Sequence, residues 1–290
     1  MLRTLPMNNA ISLTSADLTR KLNLLKRAGL FGADTKGCVI ERACSPQDLK
    51  AAYQLVHEVF VHSGYMQPVA EGIRLRVYEV SPDTATFIAK KDGKVVGVLS
   101  VVADSVELGL PSDLSFKEEL DEKRAKNLKL CEMTNQVIST EYRKSSVMTE
   151  LMRAAIAYIV TEGFDLTLAT VSPNHSNFYK VLGFSAISTV RSYSEKLHDP
   201  VIALCMDVSL FKPSVPIGLV DPFVYHLGVT CNTFITDASD WTKRARECFL
   251  NIEMLKTLVT DHNFLKVCQP IELEYLKDRW GQELYKQVAA

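Results

Sequence analysis

A glutamate lies inside one of the most β-prone stretches of the chain, where Leu130, Cys131, Glu132, Met133 and Thr134 lead on to Val137 and Ile138. An acid packs poorly in such a strand, so Glu132 is either solvated at a sheet edge or a desolvated carboxylate able to accept a proton. Strict alternation puts Glu132 and Thr134 on one face and Asn135 on the other, so joint action of the three requires a bulge. Just downstream, the polar turn Glu141 to Lys144 runs into a helix, and Arg143, Ser145 and Ser146 bring a guanidinium and two hydroxyls to its start, or merely solvate a turn. The run Asn174 to Phe184 carries His175, Phe178 and Tyr179. There the phenol is either a proton donor or a packed aromatic, and the histidine either a reactive group or a solvated helix end. Arg74 and Arg76 suit bidentate binding of a carboxylate, and a solvated loop explains them as well. Lys123, Arg124, Lys126 and Lys129 form a basic cluster that either docks an acidic partner or solvates a helix.

The elements that must position these groups follow from periodicity. A strand spans Cys38 to Arg42. Ser45 as N-cap, Pro46 at the first helical position and Asp48 in the first turn then open a helix with the stripe Leu49, Tyr53, Val56, Phe60, closed by Gly64. Gln67 to Val77 reads as loop or short helix. Strands Ala85 to Lys90 and Val95 to Val102 flank Asp92-Gly93, a hairpin signal. A helix is expected over Phe116 to Lys126 and a long strand over Leu128 to Thr140. Val147, Leu151, Ala155 and Ile159 mark the next helix, closed by Gly163. Strand Leu166 to Val171, a helix from Asn174 to Leu182 and strands Ser185 to Tyr193 and Val201 to Val208 complete a mixed α/β sheet with helices on both faces.

Three units are expected: a leader and amphipathic helix over 1–37 (Leu18, Leu22 and Leu25 on one face), a core domain over 38–209, and a C-terminal helical extension over 210–290 beyond Pro213, Pro216 and Pro222. In the extension, one stripe uses Trp241, Ala245, Cys248, Ile252, Leu255 and Val259. A second, over Ile271 to Val288, uses Leu273, Leu276, Trp280 and Leu284. Either stripe must be covered, by the chain itself or by a second copy in a homodimer.

The chain has 290 residues and 47% apolar side chains, as a globular protein does, and its 33 basic and 34 acidic groups nearly cancel. That balance provides no global field for nucleic acid or an anionic membrane. The longest apolar run, Ala154 to Val160, is far short of the roughly 20 residues a membrane helix needs. The seven cysteines are scattered without a C-x-x-C pair or zinc spacing. No metal is expected, and reduced thiols in the cytoplasm are.

The strand, turn and helix from Leu128 to Ile159 resemble the central unit of the GNAT superfamily of N-acetyltransferases, whose Arg/Gln-x-x-Gly-x-Gly/Ala turn holds coenzyme A. Here Arg143, Ser146 and Met148 stand at the matching positions, and both glycines are absent. The Phe178-Tyr179-x-x-Leu182-Gly183-Phe184 ending is similar to a late signature of the same superfamily. Leu130 to Thr134, Tyr78 to Ala89, Gly97, Leu110, Pro111 and Phe116 to Asp121 are similar in order to the N-acyl amino acid synthase branch, a relative of the autoinducer synthases. Asn135 stands where the autoinducer type has arginine, which argues against S-adenosylmethionine as acceptor.

The resemblance implies a GNAT-type acyltransferase with no tightly bound cofactor. Its donor would be a long-chain acyl group on the phosphopantetheine of acyl carrier protein, or acyl-coenzyme A, and its acceptor an amino acid α-amine. Losing the glycines favours the single phosphodiester of the carrier-borne arm over a pyrophosphate. Glu132 would be the base and Tyr179 the acid that protonates the leaving thiolate. Arg143, Ser145, Ser146 and Asn174 would hold the donor, and Thr134, Asn135, Arg74 and Phe178 the substrates. A coenzyme A-dependent acetyltransferase acting on a small amine and a non-catalytic acyl- or partner-binding domain remain as alternatives.

Overall fold

The computed structural model describes residues 35–181, 183–193, 199–211, 250–259 and 263–289. The expected N-terminal helix and the stripe residues Trp241, Ala245 and Cys248 lie outside them. Strands β1 (Val39–Arg42), β2 (Thr84–Lys91), β3 (Lys94–Ala103), β4 (Leu130–Ile138), β5 (Leu166–Val171), β6 (Ser185–Ala186), β7 (Arg191–Ser192) and β8 (Pro200–Asp207) alternate with helices α1 (Pro46–His62), α2 (Asp113–Arg124), α3 (Val147–Thr161) and α4 (Pro173–Val181). Near the C-terminus follow α5 (Ile252–Val259), α6 (Phe264–Val267), α7 (Pro270–Trp280) and α8 (Gln282–Ala289). The sheet order is β1-β2-β3-β4-β5-β8-β6, with β7 also on β8. Among the described residues only β4 and β5 run parallel, joined by the α3 crossover.

Local signals account for much of this. Ser45 Oγ accepts the Asp48 N–H at 3.1 Å and starts α1. Asp92 and Gly93 both have positive φ, 49° and 78°, as a tight hairpin of primed type requires.

Several boundaries move. The expected strand over 128–140 is shorter, Leu130–Ile138, because after Ile138 the backbone enters a 3-10 turn, Thr140–Tyr142. The expected strand over 185–193 is two short strands, since Ser188 breaks the ladder by using its side chain to accept the Ala203 N–H. The single helix expected over 271–288 is divided at Gly281, whose φ of 79° no helix allows. Helix α2 begins at Asp113 and kinks at Phe116.

One face of the sheet packs α3 and α4 around Phe87, Leu99, Leu151, Ile156 and Leu204. The other carries α1, and α2 beside it over Leu110, Leu120 and Leu168. The described stripe of the C-terminal helices, including Leu255, Leu258, Leu276 and Trp280, is buried in one cluster with Tyr53 and Val56 of α1. In the described part, therefore, the cover is this chain's own helix. Cys38, Cys131, Cys205 and Cys268 are free, whereas Cys44 is disulfide-bonded, against the expectation of reduced thiols; scattered cysteines leave no spacing from which a distant pair can be read. No helix among the described residues is long and apolar enough to cross a membrane.

Gly97 of β3 lies directly under α3: a Cβ there would sit 3.1 Å from Leu151 Cδ1 and 3.4 Å from Val147 Cγ1. The Gly97→Val variant should overpack this contact and lose about 1–3 kcal/mol, measured as a lower urea midpoint. An unchanged midpoint would show that α3 shifts freely on the sheet.

Candidate active site

The ladder between β4 and β5 pairs Leu130 with Leu166, Cys131 with Thr167 and Glu132 with Leu168, then stops, although β4 continues to Ile138 and β5 to Val171. Beyond Glu132 the two strands diverge into a wedge. On the other side of β4 the register with β3 passes from Ser100↔Thr134 to Val98↔Val137, so β4 spends three residues where β3 spends two. Asn135, in the left-handed region, is the extra residue. The bulge that joint action required is present, and it re-aims two side chains. Asn135 joins the face of Glu132 and Thr134, donating from Nδ2 to Glu79 Oε1 at 2.9 Å and to Ser100 Oγ at 3.3 Å. Gln136 is sent to the opposite face, where its Oε1 accepts the Tyr179 hydroxyl and its Nε2 lies 2.8 Å from Met148 Sδ.

Glu132 is 3% exposed, so the solvated-edge alternative fails. Its Oε2 accepts the Ser112 N–H at 2.9 Å, and the Ser112 hydroxyl in turn bonds Thr170 Oγ1. Burial raises the carboxyl to about 7, against the Ser112 hydrogen bonds and Arg76, which favour the charged form. A carboxylate so poised exchanges a proton near neutrality.

Beside it is a buried ion cluster. Glu79, in the 3-10 turn Val77–Val80, is 2% exposed. It accepts the Arg76 N–H at 2.7 Å, the Arg76 side chain at 2.6–3.2 Å, and Arg74 Nη1 at 3.4 Å. Burial alone would push this carboxyl up; Arg76 and Arg74 hold it below its ordinary value. Arg74 also donates to Asn135 Oδ1 at 3.1 Å and lies over the Phe60 ring. Burial and the like charge of Arg76 lower its pKa to about 10. Two guanidiniums share one carboxylate, which leaves one positive charge in excess next to Glu132. The network runs on through Ser100, Thr86 and the Tyr53 hydroxyl, which returns to the Glu79 carbonyl. Sequence inspection found Arg74 and Asn135 but missed Glu79, Ser112 and Thr170. The Arg76-x-x-Glu79 spacing was the one available signal, because an acid three residues on can bond back to the N–H before a turn.

On the opposite face Tyr179 is buried, edge-on to Phe178 at 5.5 Å and to Phe184 at 5.4 Å. Burial raises its phenol and keeps it protonated. Asn174 and His175 are exposed in the first turn of α4. Arg143 and Lys144 are exposed at the start of α3, and Lys36 joins them by donating to the Glu141 carbonyl. The serines behave otherwise than expected. Ser145 donates its hydroxyl to the Tyr142 carbonyl at 2.6 Å, and Ser146 is 2% exposed with its Oγ unpartnered. In this conformation the turn therefore presents two cations more than it presents hydroxyls, and the first N–H of α3, that of Val147, is taken by Ser145 Oγ at 3.4 Å. The Lys123-to-Lys129 cluster lies at the other end of β4, about 30 Å away for a nine-residue strand. Its Arg124 is bound to Asp104, Asp113 and Asp121, and Lys129 to the Glu162 carbonyl, as in a solvated surface.

The family model of the N-acyl amino acid synthase FeeM matches residues 51–207. Among solved structures, FeeM, an N-acyl amino acid synthase from uncultured soil microbes, is 23% identical with a TM-score of 0.53, covering 59% of this chain and 91% of its own. BjaI, a coenzyme A-dependent acyl-homoserine lactone synthase, is 15% identical with a TM-score of 0.47, covering 73% of this chain and 100% of its own. The homoserine lactone synthase LasI is 16% identical with a TM-score of 0.47, covering 59% and 89%. No curated protein matches the chain.

Because folding raises the Glu132 carboxyl from near 4.5 to about 7, the folded state keeps a proton that the unfolded state releases, and stability falls as pH rises through that window. Glu132→Gln mimics the protonated acid and escapes this cost. It should be more stable than the natural protein by up to about 3 kcal/mol at pH 8 and lose that advantage at pH 4, in denaturant titrations at the two pH values. An equal effect at both would mean that the carboxyl titrates normally.

Proposed function

The chain belongs to the N-acyl amino acid synthase FeeM family and is an acyltransferase of GNAT fold, and on that premise we propose that it joins a long-chain fatty acyl group, delivered by acyl carrier protein, to the α-amine of an amino acid. The observation that carries this is the pairing, on one face of β4, of a buried carboxyl titrating near 7 with a guanidinium pair that its own acid only half neutralises. An amino acid has the complementary pattern, since its carboxylate suits Arg74 and Arg76 while its ammonium suits Glu132. Thr134 and Asn135, on the same face, complete the acceptor site.

The thioester enters through the wedge between β4 and β5, from the face of Tyr179, with Phe178 beside its acyl chain. Glu132 takes a proton from the ammonium, directly or through water. The free amine then attacks the thioester carbon, the C–N bond forms and the C–S bond breaks. Tyr179 gives its proton to the departing thiolate and is recharged by the second proton of the former amine. Arg143 and Lys144, with Lys36 beside them and Asn174 across the wedge, neutralise the phosphodiester of the phosphopantetheine arm at the start of α3. Ser145 and Ser146 contribute backbone N–H groups there. These exposed cations, without glycines, suit one phosphate better than a close-fitting pyrophosphate, and they suit an acidic carrier protein.

Purified protein given amino acid mixtures with either acyl carrier protein or acyl-coenzyme A should yield N-acyl amino acids, detected by mass spectrometry, preferentially from the carrier-borne donor. Product from coenzyme A alone would overturn the donor assignment. Acetylation of small amines with no amino acid product would overturn the acceptor.

Glu132→Gln should slow turnover roughly 100-fold while leaving donor affinity intact, and the natural enzyme's rate should rise with pH to a plateau above about 7. A flat pH profile would remove Glu132 from the role of base. Arg143→Ala should weaken donor binding by about 1–3 kcal/mol and spare the acceptor KM, as titration of acyl carrier protein would reveal.

A further inference from the structure

The turn that carries Glu79 is gripped from outside the family-matched region. Residues 77–80 form a single 3-10 turn after an irregular loop, so few of its polar groups have partners in regular structure. Two successive carbonyls are satisfied by side chains from two different helices: Glu79 C=O by the Tyr53 hydroxyl of α1 at 3.3 Å, and Val80 C=O by Trp280 Nε1 of α7 at 2.9 Å. Next along, the Tyr275 hydroxyl bonds Ser81 Oγ and, at 3.0 Å, Asp83 Oδ2. Arg279 pairs with Asp83 at 3.3 Å and with Glu107 at 3.6 Å. Apolar packing aligns with these bonds, as Val77 and Val80 share a buried cluster with Leu255, Leu276 and Trp280.

We propose that the C-terminal helices act as a clamp on the acceptor site, Trp280 and Tyr275 fixing the 77–83 turn and through it the Glu79 carboxylate that orients Arg74 and Arg76. The inference rests on the acceptor reading above. Glu79 holds both guanidiniums, and its own position is set by a backbone whose adjacent carbonyl hangs on one indole N–H. Loosening that bond lets the carboxylate wander, and the arginines follow it away from the geometry that binds a substrate carboxylate. The donor turn at the start of α3 is on the other face of the sheet and shares none of these contacts. Trp280 and Tyr275 are thus positioning residues, and their effect must fall on one substrate.

The test uses full-length Tyr275→Phe, which removes only the hydroxyl, and Trp280→Phe, which removes the indole N–H together with part of the ring's volume, with Val288→Ala as a control for weakened C-terminal packing. Two measurements are made: hydrogen exchange of the amides over 77–83, and steady-state kinetics with each substrate varied. Faster exchange in the turn, with acceptor KM raised roughly three- to tenfold and donor KM and kcat within about twofold, is the expected result for loss of one or two hydrogen bonds. Unchanged exchange overturns the clamp whatever the protein acylates. Faster exchange with an unaltered acceptor KM also overturns it, as does an equal rise in both KM values matching that of Val288→Ala, since that is a structural effect. If the natural protein itself shows no saturation by any amino acid, the acceptor reading falls, and the clamp on it falls with it.

Discussion

One inserted residue organises the site. The step of three residues in β4 against two in β3 places Asn135 among the buried groups of one face and Gln136 beneath Tyr179 on the other. In a regular strand the two would be exchanged, and Glu79 and the Tyr179 hydroxyl would lose the particular amide partners they have here. The bulge lies just past the last β4–β5 pair, where the strands part, so the same irregularity shapes both sides of the wedge.

Desolvation then sets the chemistry. Two buried carboxyls, Glu132 on β4 and Glu79 in the 77–80 turn, both feel Arg76 and titrate oppositely. Glu79 stays charged because two guanidiniums press on it, whereas Glu132 has chiefly one backbone N–H and a more distant Arg76, and burial prevails. Removing the arginines would erase the difference. The contrast separates a carboxylate that builds the pocket from one that can exchange a proton within it.

The C-terminal helices add cohesion that the sheet cannot supply. Residues 67–83 cross from α1 to β2 with little regular structure, yet carry Arg74, Arg76 and Glu79. Their backbone is held by the side chains of Tyr53 and Trp280, and the Ser81 and Asp83 side chains by Tyr275. Part of the cover over α1 and this turn thus comes from a segment beyond the stretch that the family model matches.

The α/β architecture, the Asp92-Gly93 hairpin and the caps of α1 were legible from sequence, because periodicity and turn chemistry are local signals. Glu132, as an acid amid β-formers, and Tyr179 and the basic turn, through the ordered motifs of the family, stood out there as candidates. The division at Gly281 and the break at Ser188 were not legible: a glycine or serine in a periodic run is compatible with either outcome until packing chooses. Glu79, Ser112 and Thr170 were missed because their partners are far away in sequence, and an acid after an arginine looks like surface until both are seen buried. The carboxyl value near 7 belongs to the same class, since burial is a property of the folded environment. Sequence by itself determined which chemical groups were available and which elements would carry them; the tertiary structure alone decided which groups lost their water and which charges they met on losing it.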